Sequence, residues 1–426
     1  MDVRHGIAGL VCLALSLASG ALFPTAAAAA YAPVNTPGVA LSEPAGMLAS
    51  ALSCSQGMDG ALRAPVLLVH GTSLTPEENW SASYQPALSS LGIPWCTVAL
   101  PDRGTGDVQR NAEYVVHAIR EMYRRSRRRI AIIGASQGGM LPRWALRFWP
   151  DTRAMVDDLV GLAPSNHGTT QGRLPCRRAC FPAHRQQMDT SNFIAALNSF
   201  QETFWGVSYT NVYTRFDEVV KPPSSSELHT GDGLITNVAV QEICSLDTAD
   251  HITLALANAA GFALAMDALS NAGPASTARV ARRGCAQPPI PGYNPARLAA
   301  MVGSYFNNRD VGAARVTREP PPLRCYVTGS CPSGTSRLIR LHLAVRPRRI
   351  RAGRRVRLRV VVRARLRGKL RAVPGATVKA AGRRARTDRR GQATMRVQFR
   401  PGRRRVVARA KGYLPARAVV RVRRSR

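Results

Sequence analysis

Ile130-Ala-Ile-Ile-Gly-Ala-Ser-Gln-Gly-Gly-Met-Leu141 joins a strand signal to a helix signal through a serine flanked by glycines. Its first four residues form a short apolar run with β-branched residues, the mark of a buried strand. Gly138 to Phe148 has the spacing of a helix. Between them Gly134-Ala135-Ser136-Gln137-Gly138 fits G-x-S-x-G. A strand that passes into a helix through so tight a turn lifts the serine hydroxyl above the sheet edge. The backbone N–H of Gln137, at the start of the helix, then points to where an oxyanion would form. Ser136 is therefore the candidate nucleophile, and Gln137 a candidate oxyanion donor.

Outward from this turn, strands and helices alternate. Val66 to Val69, Trp95 to Leu100, Ile130 to Ile133, Leu159 to Leu162 and Val207 to Tyr213 read as strands. Trp80 to Leu91, Asn111 to Arg125 and Gly138 to Phe148 read as helices. This order predicts an α/β fold, a mostly parallel sheet with helices on both faces. A serine hydroxyl needs a base, and the base needs an orienting group. In an α/β-hydrolase the chain order is serine, acid, histidine. Asp217 follows the strand that ends at Tyr213 and suits the acid; Glu218 beside it is the substitute. His229 and His251 both follow Asp217. His251, which precedes the helix-like run Ile252 to Leu269, is preferred over His229 in its Ser/Thr/Gly-rich loop. Thr72 follows the first strand, where the second oxyanion donor belongs. His70 precedes the serine and is expected to line the pocket.

Longer stretches carry a resemblance. Val66-Leu-Leu-Val-His-Gly-Thr72, Asp107-Val-Gln-Arg-Asn-Ala-Glu-Tyr114, Ser136-Gln-Gly-Gly139, Ala163-Pro164 with Gly168-Thr169, Asn211-Val-Tyr-Thr-Arg-Phe-Asp-Glu-Val219 and Asp250-His251 resemble the Candida antarctica lipase B family and its bacterial relatives. The resemblance spans about Pro65 to Ser270. It implies a triad of Ser136, Asp217 and His251, with Thr72 and Gln137 as oxyanion donors. It also implies Cys54–Cys96 and Cys244–Cys285 disulfides, which leaves Cys325 with Cys331 and Cys176 with Cys180. Three departures stand out. Ala135 takes the place of a Trp before the nucleophile, which implies a wider alcohol-side pocket. Ser165 takes the place of an acid in the acyl pocket. The segment around Cys176 and Cys180 differs, and a lid is one reading of it.

The ends of the chain read differently. Arg4 and His5 precede an apolar run from Ile7 to Leu22, followed by Pro24 and small residues; residues 1–30 read as a secretory signal peptide. Removing Cys12 with it leaves an even set of cysteines, which suits disulfides in an exported chain. Zinc at Cys176 and Cys180 is the weaker alternative, because a C-x3-C without a second pair is a poor site. Residues 31–335 read as the hydrolase domain, ending in a Pro- and Gly-rich segment that wraps the core.

From Ser336 onward there are 33 Lys and Arg and a single acid, Asp388, so this quarter carries nearly all of the net +35. Residues 336–426 alternate Arg with Val, Ala or Leu and are punctuated by Pro374-Gly375, Asp388 to Gly391 and Pro401-Gly402. They predict a small all-β sandwich and resemble bacterial Ig-like or carboxypeptidase-regulatory-like modules. Arg keeps its charge and pairs bidentately with phosphate and carboxylate. An anionic cell-surface polymer or lipid is the expected partner. Nucleic acid is disfavoured, since only Phe399 and Tyr413 are aromatic there. The expectation is a secreted, monomeric serine esterase or lipase that acts on an ester or lipid substrate without metal or organic cofactor. The rival readings are a surface-binding protein with a non-catalytic hydrolase-like platform, and an acyltransferase with the same triad.

Overall fold

The computed structural model describes residues 31–171, 175–308, 313–331, 339–366, 369–410 and 413–423. The segment read as a signal peptide lies outside them. The chain forms two compact units, one of residues 1–38 and 42–329, the other of residues 39–41 and 330–426.

The first unit is built on a seven-stranded sheet: β1 (Leu52–Cys54), β2 (Val66–Val69), β3 (Trp95–Val98), β4 (Ile130–Ala135), β5 (Val156–Leu162), β6 (Ser208–Tyr213) and β7 (Leu234–Ala239). Their spatial order is β1-β3-β2-β4-β5-β6-β7. β1 runs antiparallel to β3, and every other pairing is parallel. Parallel strands are covered on both faces, so they tolerate no polar side. All of β2 and β4 is accordingly buried. On one face Val66, Leu68, Ala131, Ile133, Val160 and Leu162 pack with Trp80, Tyr84 and Leu264. Cys54 stands directly opposite Cys96 in the β1–β3 pairing, and the two are disulfide-bonded. Cys176–Cys180 and Cys244–Cys285 are also bonded, and Cys325 and Cys331 are both disulfide cysteines. The bond at Cys176 and Cys180 leaves no thiolate pair for zinc.

Several elements differ from the sequence expectation. The helix expected over Trp80 to Leu91 is two helices, Pro76–Trp80 and Tyr84–Ser90. Thr75 caps the first in a reciprocal box with Glu78, and non-helical Ser83 separates the second. The run after His251 is likewise two helices, His251–Ala257 and Ala259–Ser270. Asn258 divides them because its side chain accepts the N–H of Gly261, as an N-cap does. The trailing segment contains a helix, Pro295–Asn308, and then packs along the central helices. There Gln109 Nε2 donates to Pro322 O, and Trp144 Nε1 donates to the Tyr326 hydroxyl.

The second unit is all β. Its strands are β8 (Ile339–Arg346), β9 (Arg349–Arg351), β10 (Val356–Leu366), β11 (Lys369–Ala372), β12 (Thr377–Ala380), β13 (Arg383–Arg386), β14 (Gln392–Val397), β15 (Gly402–Arg409), β16 (Tyr413–Leu414) and β17 (Ala416–Arg423). One sheet is ordered β11-β10-β8-β16 with β14 also on β10; the other is β13-β12-β15-β17-β9. Alternate residues form a shared apolar core that includes Leu358, Val360, Val362, Val378, Val406 and Val420. The intervening arginines face outward.

Candidate active site

Ser136 stands at the C-terminal end of β4 and is the N-cap of the helix Gln137–Phe148, with φ 52° and ψ −121°. A positive φ is strained for a residue with a Cβ. Its neighbours explain how the turn is possible. A Cβ on Gly134 would lie 2.0 Å from the carbonyl oxygen of Gly138, and one on Gly138 2.1 Å from that of Val69. Both positions therefore require glycine. The Ser136 N–H donates to Leu162 O at 2.8 Å, and the Gly139 N–H donates to Ser136 O at 2.9 Å, which fixes the turn to β5 and to the helix.

Asp217 and His251 meet here from distant parts of the chain. His251 Nδ1 donates to Asp217 Oδ2 at 2.8 Å, and Asp217 is fully buried. The other carboxylate oxygen, Oδ1, accepts the N–H groups of Val219 at 2.9 Å and Val220 at 2.7 Å. This arrangement holds the proton on Nδ1 and leaves Nε2 with a lone pair. Glu218 does not take the acid's place. Its Oε2 accepts the backbone N–H of His251 at 3.0 Å and anchors the residue instead. His229 is exposed beside Glu227, away from Asp217.

Ser136, His251 and Thr72 line one cavity of about 300 Å³. The Thr72 hydroxyl accepts Gln137 Nε2 at 2.8 Å and Gln187 Nε2 at 3.1 Å. With both acceptor positions filled, its own proton is the group left to donate. Gln137 is the first helical residue, so its backbone N–H has no acceptor within the helix. Ala135 and Ser165 also line the cavity. Ser165 Oγ donates to Gln187 Oε1 at 2.9 Å.

His70 departs from expectation. It is buried and absent from the cavity wall. Its Nδ1 donates to Gly71 O at 2.8 Å, and its Nε2 accepts the N–H of Leu100 at 3.0 Å. Each ring nitrogen is spent on the backbone, so His70 props up the loop that carries Thr72. Burial lowers its pKa from 6.5 to about 4. Between those values the unfolded chain binds a proton that the folded chain refuses, so stability falls as pH falls. The contribution is present in full above pH 6.5 and amounts to about 3 kcal/mol. His70→Asn is expected to show a shallower decline in melting temperature between pH 6.5 and 4 than the wild type. Parallel declines would contradict this.

Three buried amide side chains escaped the sequence reading. Asn79 Oδ1 accepts the Gly71 N–H at 2.9 Å, Asn111 Nδ2 donates to Gln137 Oε1 at 3.3 Å, and Gln187 bridges Thr72 and Ser165. His184 also lines the cavity, and burial holds its imidazole below the ordinary range. Asn79, Gln187 and His184 lie in no motif or periodic run that would mark them, and Asn111, although within the resembling stretch Asp107 to Tyr114, is given its role only by the contact with Gln137.

Residues 63–258 match the family model for lipase (class 2). Lipase B of Pseudozyma antarctica is 32% identical over 217 residues, which cover 50% of this chain and 64% of that protein. The chain thus spans a little under two thirds of that relative's length. The crystal structure of Aspergillus fumigatus lipase B is 28% identical, with a TM-score of 0.63 over 70% of this chain and 76% of that one. In sequence and in fold, the α/β unit of this chain is similar to lipase B-like proteins and to the class 2 lipases.

Proposed function

We propose that this chain is a secreted serine carboxylic-ester hydrolase, an esterase or lipase, that works through an acyl-Ser136 intermediate. The observation that carries the reading is the oriented imidazole of His251, bonded to buried Asp217, in the same cavity as the strained Ser136. His251 Nε2 takes the hydroxyl proton as Ser136 Oγ attacks the ester carbonyl carbon. The carbonyl oxygen becomes an oxyanion that accepts from the Gln137 N–H and the Thr72 N–H and hydroxyl. Collapse of this intermediate expels the alcohol, which takes its proton from His251. Water then attacks the acyl-enzyme by the same route in reverse. The chemistry calls for no organic cofactor. The disulfides support export, because such bonds persist in oxidising compartments. The basic β unit is read as an attachment module for an anionic surface, and the enzyme as a monomer.

p-Nitrophenyl esters of graded acyl length test the proposal. Turnover with an initial burst of p-nitrophenol is expected, and absence of turnover across the whole series would overturn it. Ala135 governs the alcohol side. It is buried against the cavity with only a methyl group to offer. Ala135→Trp is expected to lower kcat/KM for esters of bulky secondary alcohols by roughly 10-fold or more relative to ethyl esters. An unchanged ratio would show that this position does not bound the alcohol pocket.

A further inference from the structure

The outer face of the sheet formed by β8, β10 and β14 holds a groove of about 590 Å³. Arg346, Arg357, Arg359 and Arg363 line it, with Thr394 and Gln392. Strand register sets Arg359 directly opposite Arg346 on one side and Thr394 on the other. Arg357 stands opposite Arg396. Like charges placed directly across a sheet destabilise it. Among the described residues none of the four lining arginine side chains has an ion pair or hydrogen bond. The face is therefore built to carry uncompensated charge that an outside anion would neutralise.

We infer that this groove binds a linear phosphodiester polymer. The spacing of the arginines sets the repeat of the ligand. Alternate residues of a strand recur about every 7 Å. Arg357 and Arg359 are one such step apart, and Arg363 is two steps further on. Val361 at the empty step pairs with Ala344 and Gln392, and gives the groove a low floor. An extended chain with one anion about every 7 Å keeps register with all three arginines. The facing arginines set the anion's shape. A carboxylate holds its acceptor sites in one plane, which suits guanidinium forks that approach within that plane. A phosphodiester is tetrahedral and can accept from two forks at once, as the facing Arg346 and Arg359 require. Exposed large apolar residues in this unit are confined to Leu370 and Val419 among the described residues, so the face has little to insert into a lipid layer.

The inference rests on reading the β unit as an attachment module, and it is independent of ester hydrolysis. The test is binding of the full chain to poly(glycerol phosphate) as a function of salt. Two charge-matched triple variants are compared with the wild type: Arg346, Arg359 and Arg363 to Gln, and Arg403, Arg417 and Arg421 to Gln on the other sheet. The first is expected to weaken binding about 30-fold and to lower the slope of log affinity against log salt by roughly 2. The second is expected to weaken it less than about 3-fold. Equal losses in both variants would overturn the groove while leaving a diffusely basic attachment module. Failure of the wild type to bind at 0.15 M salt would overturn the attachment reading as well. Tighter binding to polygalacturonate, a linear polycarboxylate, than to poly(glycerol phosphate) would overturn the ligand class. Ester turnover, measured on the same samples, reports separately on Ser136.

Discussion

Ser136→Ala is expected to lower kcat for p-nitrophenyl butyrate by on the order of 10⁴- to 10⁶-fold, with the fold intact. The reason is local. The hydroxyl is the only group the substitution removes. The main chain at Ser136 is held by its N–H to Leu162 O and its carbonyl to the Gly139 N–H, and neither bond needs the side chain. Alanine has the same Cβ as serine and bears the same positive-φ strain, so the turn gains no new conflict. The far-ultraviolet circular dichroism and melting temperature should match the wild type. Whatever rate remains would come from the oxyanion donors and from binding. Activity within 10-fold of wild type would remove Ser136 from the nucleophile's role.

Asp217→Asn is expected to lower kcat by about 10⁴-fold with little change in KM. The two N–H bonds from Val219 and Val220 decide how the asparagine would sit. They require an oxygen at the Oδ1 position, so the new NH2 group must face His251 Nδ1. A donor facing Nδ1 makes that nitrogen an acceptor and moves the ring proton to Nε2. The imidazole then has no lone pair for the Ser136 hydroxyl. A fall of less than 10-fold would mean that Asp217 does not set the tautomer, and would return Glu218 to consideration. The hydrogen bond from the His251 N–H to Glu218 argues against that substitution, because it already engages the carboxylate with the backbone.

The parts of this architecture that were legible in the sequence are those governed by local rules. β2 and β4 are wholly buried, and a run such as Val66 to Val69 has no other economical reading. The glycines about Ser136 were legible because the turn leaves no room for a side chain at either of them. Asp217 and His251 were found through chain order and the neighbouring strand, although 34 residues separate them. Other features depend on contacts that no local pattern encodes. Asn79, Asn111 and Gln187 are polar residues buried by segments far away in sequence, so neither composition nor periodicity distinguishes them from surface residues. His70 was misplaced for a related reason: its position after β2 fits a cavity wall, but the Leu100 N–H draws its ring inward. The helix breaks at Ser83 and Asn258 lie in runs of continuous apolar spacing: the Asn258 side chain caps a new helix there, and at Ser83 the backbone leaves helical φ and ψ without a side-chain cap. In the second unit β10 was visible by its alternation of Arg with apolar residues, broken only at Val361. β13, Arg383–Arg386, reads as a charge run, since three of its four residues are arginine.

Ser136 is proposed as the nucleophile, activated by His251 and Asp217. Stoichiometric phosphonylation tests it most directly. A p-nitrophenyl alkylphosphonate places a tetrahedral phosphorus at the attacking oxygen and stops there. Release of one equivalent of p-nitrophenol per chain, loss of ester turnover in step with that release, and a single mass adduct on the peptide that contains Ser136 are expected. An adduct on any other residue, or full turnover after one equivalent has reacted, would contradict it.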